Sequence, residues 1–128
     1  MHFEIQADDL NRAAEFYTGI LGWTFQRWDS DGMEYMMIMT AEKESKESGI
    51  NGGLLKRPTS QAGEGCGANA FVCTVLVEDF DKTASKILEC GGKVAMPKFA
   101  IPKMAWQGYF MDTEGNTFGI HQADENAV

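Results

Sequence analysis

The chain holds two histidines, and an imidazole can act as acid, base or metal ligand near neutral pH, where most side chains cannot. His2 stands two residues before Glu4. Period-two alternation puts both on one face of an extended strand, with Gln6 beside them. His121 lies far along the chain in TFGIHQ. The cysteines are Cys66, Cys73 and Cys90, too few and too irregularly spaced for a disulfide framework or a zinc motif. Cys73 and Cys90 read as small buried hydrophobes, and Cys66 sits in a Gly-rich stretch with no adjacent His or Asp to activate it. A second group could line a pocket. Met33, Met36, Met37 and Met39 crowd one segment with Tyr35 and Ile38, and Trp106, Tyr109 and Phe110 occupy another. Thioethers adapt to irregular apolar ligands, although alternating Met and aromatic residues also fill the cores of small sheets. From this group Met36, Trp106 and Phe110 are the expected ligand contacts, while Trp23 and Trp28 are expected to pack in the core.

The elements that would position these residues come from an internal repeat. Residues 3–24 (FEIQADDLNRAAEFYTGILGWT) align without a gap on residues 73–94 (CTVLVEDFDKTASKILECGGKV) at an offset of 70. Asp9 meets Asp79, Arg12 meets Lys82, Ala14 meets Ala84 and Gly22 meets Gly92. Phe3, Ile5 and Ala7 alternate with polar residues as a two-faced strand does. The acidic pair that follows suits a helix N-terminus. Leu10, Ala13, Ala14, Tyr17, Ile20 and Leu21 form one helical stripe, and Phe80, Ala84, Ile87 and Leu88 form the other. Glycines then end each helix. Strand patterns follow at Trp23–Trp28, Met33–Thr40 and Gly52–Lys56, and again at Lys93–Pro97, Trp106–Asp112 and Thr117–Gln122. Asp29–Gly32 and Asp112–Asn116 read as turns. Each half is therefore β-α-β-β-β. The single domain 1–128 divides into a first module 1–56, a connector 57–69, a second module 70–122 and a tail 123–128. Residues 41–49 are expected to form an exposed charged loop, and Pro97–Pro102 an irregular lid.

Composition narrows the partners. Over 128 residues, 44% apolar and 23% charged content is that of a globular chain, not a disordered one. No apolar run approaches the roughly 20 residues that cross a bilayer. Eleven basic against nineteen acidic residues give a net charge of −8, which repels phosphate backbones and anionic lipids, so neither nucleic acid nor membrane is an expected partner. The first residues, MHFEIQADDL, lack the basic-then-apolar pattern of a secretory leader, and with the cysteine usage this points to a reducing cytosol.

The segments FEIQADDLNRAAEFYTGILGWTF, NGGLLKRP, ECGGKV and FMDTEGNTFGIHQ, in this order, resemble the vicinal oxygen chelate superfamily of glyoxalase I, bleomycin-resistance proteins and extradiol dioxygenases. The likeness covers nearly the whole chain and is greatest to the glyoxalase-like branch related to lactoylglutathione lyase. It implies an α+β fold of two βαβββ modules whose curled sheets enclose a cavity, and commonly a homodimer. In metal-dependent members four side chains converge on a divalent ion. Carried over position by position, they fall on His2, Val72, Gly53 and Gly119. Valine and glycine offer no side-chain donor, and one imidazole does not hold a divalent ion tightly. The resemblance thus implies the cavity without its metal, and no cofactor is expected.

Strand alternation puts His121 on the same face as Gly119, and the same parity turns His2, Glu4 and Gln6 toward the implied cavity. His2, Glu4 and His121 are the expected catalytic residues, for proton abstraction next to a carbonyl, or alternatively ligands of a displaced divalent-metal site. Gln6, Trp106, Gly119, Met36 and Phe110 are the expected ligand contacts. The expected function is to act on, or bind, a small carbonyl or vicinal-oxygen compound. The alternatives are non-catalytic sequestration of a small molecule, as bleomycin-resistance proteins perform, and metal-dependent lactoylglutathione lyase activity.

Overall fold

The computed structural model describes residues 2–30, 32–42, 44–46, 49–61, 63 and 71–128. Cys66, most of the connector and parts of the 29–32 turn and the 41–49 loop lie outside the described residues. The chain divides into two compact units, Met1–Gln61 and Ala62–Val128.

The first unit runs β1 (Phe3–Ala7), α1 (Leu10–Leu21), β2 (Thr24–Ser30), β3 (Met33–Met39) and β4 (Gly52–Lys56). The second runs β5 (Thr74–Leu76), α2 (Phe80–Glu89), β6 (Lys93–Ile101), β7 (Ala105–Met111) and β8 (Thr117–Ala123). Each forms one four-stranded sheet, in the order β1-β4-β3-β2 and β5-β8-β7-β6. The first strand pairs parallel with the last, and the other pairings are antiparallel. The βαβββ reading thus holds in both halves. Among the described residues no helix is long and apolar enough to cross a membrane.

The repeat is visible at the helix starts. Asp9 accepts the Arg12 backbone N–H at 3.0 Å, and Asp79 accepts that of Lys82 at 2.9 Å. Each therefore satisfies a donor that the helix cannot satisfy itself. Gly22 ends α1 in the left-handed conformation (φ 71°), which glycine adopts without steric cost. The α1 stripe packs Leu10 and Ala13 against Ala7, Met36, Ile38 and Leu54 of the sheet. In the second unit Phe80 and Ile87 are the buried face of α2, and Leu88, expected on that stripe, is half exposed.

Three further expectations are corrected. Pro97–Pro102 is no lid, because β6 runs through Pro97 to Ile101. It is an edge strand with register shifts between Val94 and Phe99, the setting in which a residue without an N–H is tolerated. Cys73 is exposed, standing just before the short edge strand β5. Trp23 does pack, stacked on Tyr17 at 5.4 Å, but Trp28 is 50% exposed.

Hydrogen bonding by the Arg12 backbone N–H holds the Asp9 carboxyl below its ordinary range. A carboxyl depressed in the folded state adds stability above its unfolded pKa and loses it as pH falls through the folded value. Urea midpoints of the native chain are therefore expected to fall more steeply below about pH 4 than those of Asp9→Asn, which keeps a capping oxygen without the charge. Asp79→Ala is expected to cost about 1 kcal/mol at neutral pH. Equal acid slopes and an unchanged Asp79→Ala midpoint would contradict the capping account.

Candidate functional site

In each unit the helix covers one face of the sheet and alternation sends the remaining side chains to the other. In the first unit Phe3, Ile5 and Ala7 turn toward α1, leaving His2, Glu4 and Gln6 exposed on the open face. Among the described side chains, Trp28 on β2 and Tyr35, Met37 and Met39 on β3 lie on this open face. With His2, Asn51 and the backbone around Ile38 and Gly52 they line an open pocket of about 540 Å³.

His2 is the polar centre of this face. Its Nε2 is 3.3 Å from the Tyr35 hydroxyl, in hydrogen-bond contact, and 4.0 Å from Glu4 Oε1. The expected His2 and Glu4 thus come together, and Tyr35 joins them. Lys56 Nζ donates to the Asp8 carbonyl. The Gln6 carbonyl accepts from Arg57 Nη2 at 3.1 Å, tying β1 to the end of β4.

In the second unit the open face carries Thr74, Gln107, Tyr109, Gly119 and His121. His121 Nδ1 donates to Gln107 Oε1 at 2.8 Å. Gly119 is walled in, since a β-carbon there would lie 2.6 Å from Thr74 Oγ1 and 3.0 Å from Gln107 Nε2.

Met36, Trp106 and Phe110, expected as ligand contacts, face the helices instead. Met36 is 5% exposed in the α1 core, because it shares strand parity with Ile38. Phe110 is 2% exposed and meets the Phe80 and Phe118 rings at 6.2 and 6.3 Å. Trp106 shares its parity. Lys98 Nζ lies 4.6 Å above its ring and its indole N–H donates to Asp124 at 3.0 Å. The Asn126 backbone N–H and then this indole hold the Asp124 carboxyl below its usual range. Tyr35, Met37 and Met39 face the pocket, where the residue types pointed to Met36. Grouping Met36 with Ile38 as core would have found them. Trp28 and Gln107 carried no comparable signal.

The four positions implied for a metal do not fit one. A β-carbon on Gly53 would lie 1.8 Å from the Tyr35 hydroxyl oxygen, so that hydroxyl fills the space a ligating side chain needs. Val72 has no donor, and the room above Gly119 is taken by Thr74 and Gln107. Among the described residues no three His, Cys, Asp or Glu side chains gather as a cation requires.

Comparison with known proteins supports the resemblance read from the sequence. The profile of the family described as bleomycin resistance protein-like N-terminal matches residues 1–41. A glyoxalase family protein from Bacillus cereus aligns with a TM-score of 0.76 at 18% identity, covering 95% of this chain and 91% of that one. A glyoxalase/bleomycin resistance protein/dioxygenase family enzyme from Burkholderia phytofirmans aligns at 0.73 and 13% identity, covering 96% and 97%. The chain has the vicinal oxygen chelate fold. A genomically encoded fosfomycin resistance protein from Listeria monocytogenes shares it, with a TM-score of 0.72, 14% identity and coverage of 97% and 92%. No curated protein matches the sequence.

If Tyr35 occupies the space over Gly53, the two positions must be coupled. Gly53→Ala is expected to expel the Tyr35 ring and destabilise the chain by about 1–3 kcal/mol. In a Tyr35→Ala background the same change is expected to cost less, with a coupling of at least about 0.5 kcal/mol by denaturation of the four proteins. Additive costs would contradict the contact.

Proposed function

We propose that this vicinal oxygen chelate protein binds a small carbonyl or vicinal-oxygen compound with an apolar or aromatic body, and sequesters it without a metal ion. The carrying observation is the open-face pocket of the first unit. Its volume of about 540 Å³ lies in the range of small-molecule sites. Its walls are Trp28, Tyr35, Met37 and Met39, with His2, the Tyr35 hydroxyl and Asn51 as the polar groups. An aromatic pair offers a flat surface, and two thioethers adjust to the ligand's outline. These polar groups give an oxygen-bearing ligand a direction. The family match at residues 1–41 covers β1, α1, β2 and β3, the elements that carry most of this lining. The working form is proposed to be a cytosolic homodimer.

A second reading is catalytic. His2 lies within 4.0 Å of Glu4 and 3.3 Å of the Tyr35 hydroxyl, an arrangement that could move a proton next to a bound carbonyl. Binding without consumption of the ligand separates sequestration from this reading.

A thermal-shift screen of the purified chain against aromatic antibiotics, aldehyde–thiol adducts and small keto acids tests the proposal. A binder at a hundred times its Kd adds about 2.7 kcal/mol of stability. At least one class is expected to raise Tm and to be recovered unchanged, with Trp28→Ala weakening its binding roughly tenfold. No stabilising compound, or binders indifferent to both Trp28→Ala and Tyr35→Phe, would contradict it.

A further inference from the structure

The open face of the second unit carries a polar group that the first unit's pocket does not use. Gln107 is only 5% exposed, and its Oε1 receives His121 Nδ1 at 2.8 Å. A carboxamide oxygen carries no hydrogen, so the ring's hydrogen is on Nδ1 and a neutral His121 keeps a free lone pair on Nε2. Gly119 makes this arrangement possible. A β-carbon there would meet Thr74 Oγ1 at 2.6 Å, Gln107 Nε2 at 3.0 Å and Tyr109 at 3.1 Å, so these groups close in only because the side chain is missing. Tyr109 in turn stacks with Phe99 at 6.4 Å and 25°, and Phe99 is 37% exposed. A partly exposed imidazole acceptor therefore shares its sheet face with a flat aromatic surface.

We propose that Gln107 is a positioning residue that fixes His121 in the Nδ1–H tautomer, and that this face binds a neutral hydroxyaromatic molecule. The ligand ring lies on the Phe99–Tyr109 surface and its O–H donates to His121 Nε2. The proposal does not rest on the reading of the first unit's pocket. Its chemistry is a hydrogen bond, with no bond made or broken. Gln107 contributes orientation, and His121 contributes the contact with the ligand.

Nitrogen NMR of the full chain labelled at histidine, at a pH where the rings are neutral, reads the tautomer directly. His121 is expected as Nδ1–H in the native chain and in Gln107→Glu, whose carboxylate can accept the same hydrogen. Gln107→Leu is expected to lose that preference. Phenol is expected to move the His121 Nε2 signal, anisole at equal concentration to leave it, and Gln107→Leu to weaken the phenol effect roughly tenfold. An Nε2–H tautomer in the native chain, or phenol and anisole acting alike, would overturn the proposal. If Gln107→Leu does not fold, the native tautomer and the phenol–anisole comparison decide it.

Discussion

One helix can cover only one face of a four-stranded sheet. In the first unit, α1 takes the face carrying Ala7, Met36, Ile38 and Leu54. In the second, α2 meets the face of Phe110, Phe118 and Ile120 through Phe80 and Ile87. Alternation then commits the neighbouring residues of each strand to the opposite face. The placement of His2, Tyr35, Met37 and Met39 on the face away from α1 is a direct consequence, as is that of Gln107, Tyr109 and His121 in the second unit. A one-residue slip of register would exchange core for binding face throughout a strand, so the packing of the helices also fixes which side chains are free to meet a ligand.

The two open faces show how a duplicated frame diverges. Glu4 stands opposite Gly53 in the register of the first sheet, and Thr74 stands opposite Gly119 in the second. Both glycines lie beneath a tyrosine, Tyr35 in one unit and Tyr109 in the other. The surroundings differ, however. Over Gly53 the tyrosine hydroxyl reaches His2 and borders an apolar pocket. Around Gly119 the space goes to Thr74 and to the amide of Gln107, which holds His121. A missing side chain is used in each case to bring polar groups from neighbouring strands close together.

The frame was readable in the sequence because it rests on local signals. The offset-70 repeat located Asp9 and Asp79, and both cap helices. The spacing around Gly52–Lys56 located β4. Where one local rule met a stronger tertiary one, reading failed. Pro97 suggested an irregular segment, yet an edge strand does not need its N–H. Met36 and Phe110 have the residue types of a pocket, but their parity sends them to the core. Tyr35 over Gly53 and Gln107 against His121 depend on which residues face each other across strands, and no single segment records that register.

The Tyr35 hydroxyl, hydrogen-bonded to His2, stands where a metal-ligating side chain on Gly53 would have to be. Equilibrium dialysis of the purified chain against nickel and zinc, with the bound metal measured, tests it most directly. Less than about a tenth of an equivalent of tightly held ion is expected, as a lone imidazole should give. One full equivalent per chain, lost in His2→Ala, would contradict it.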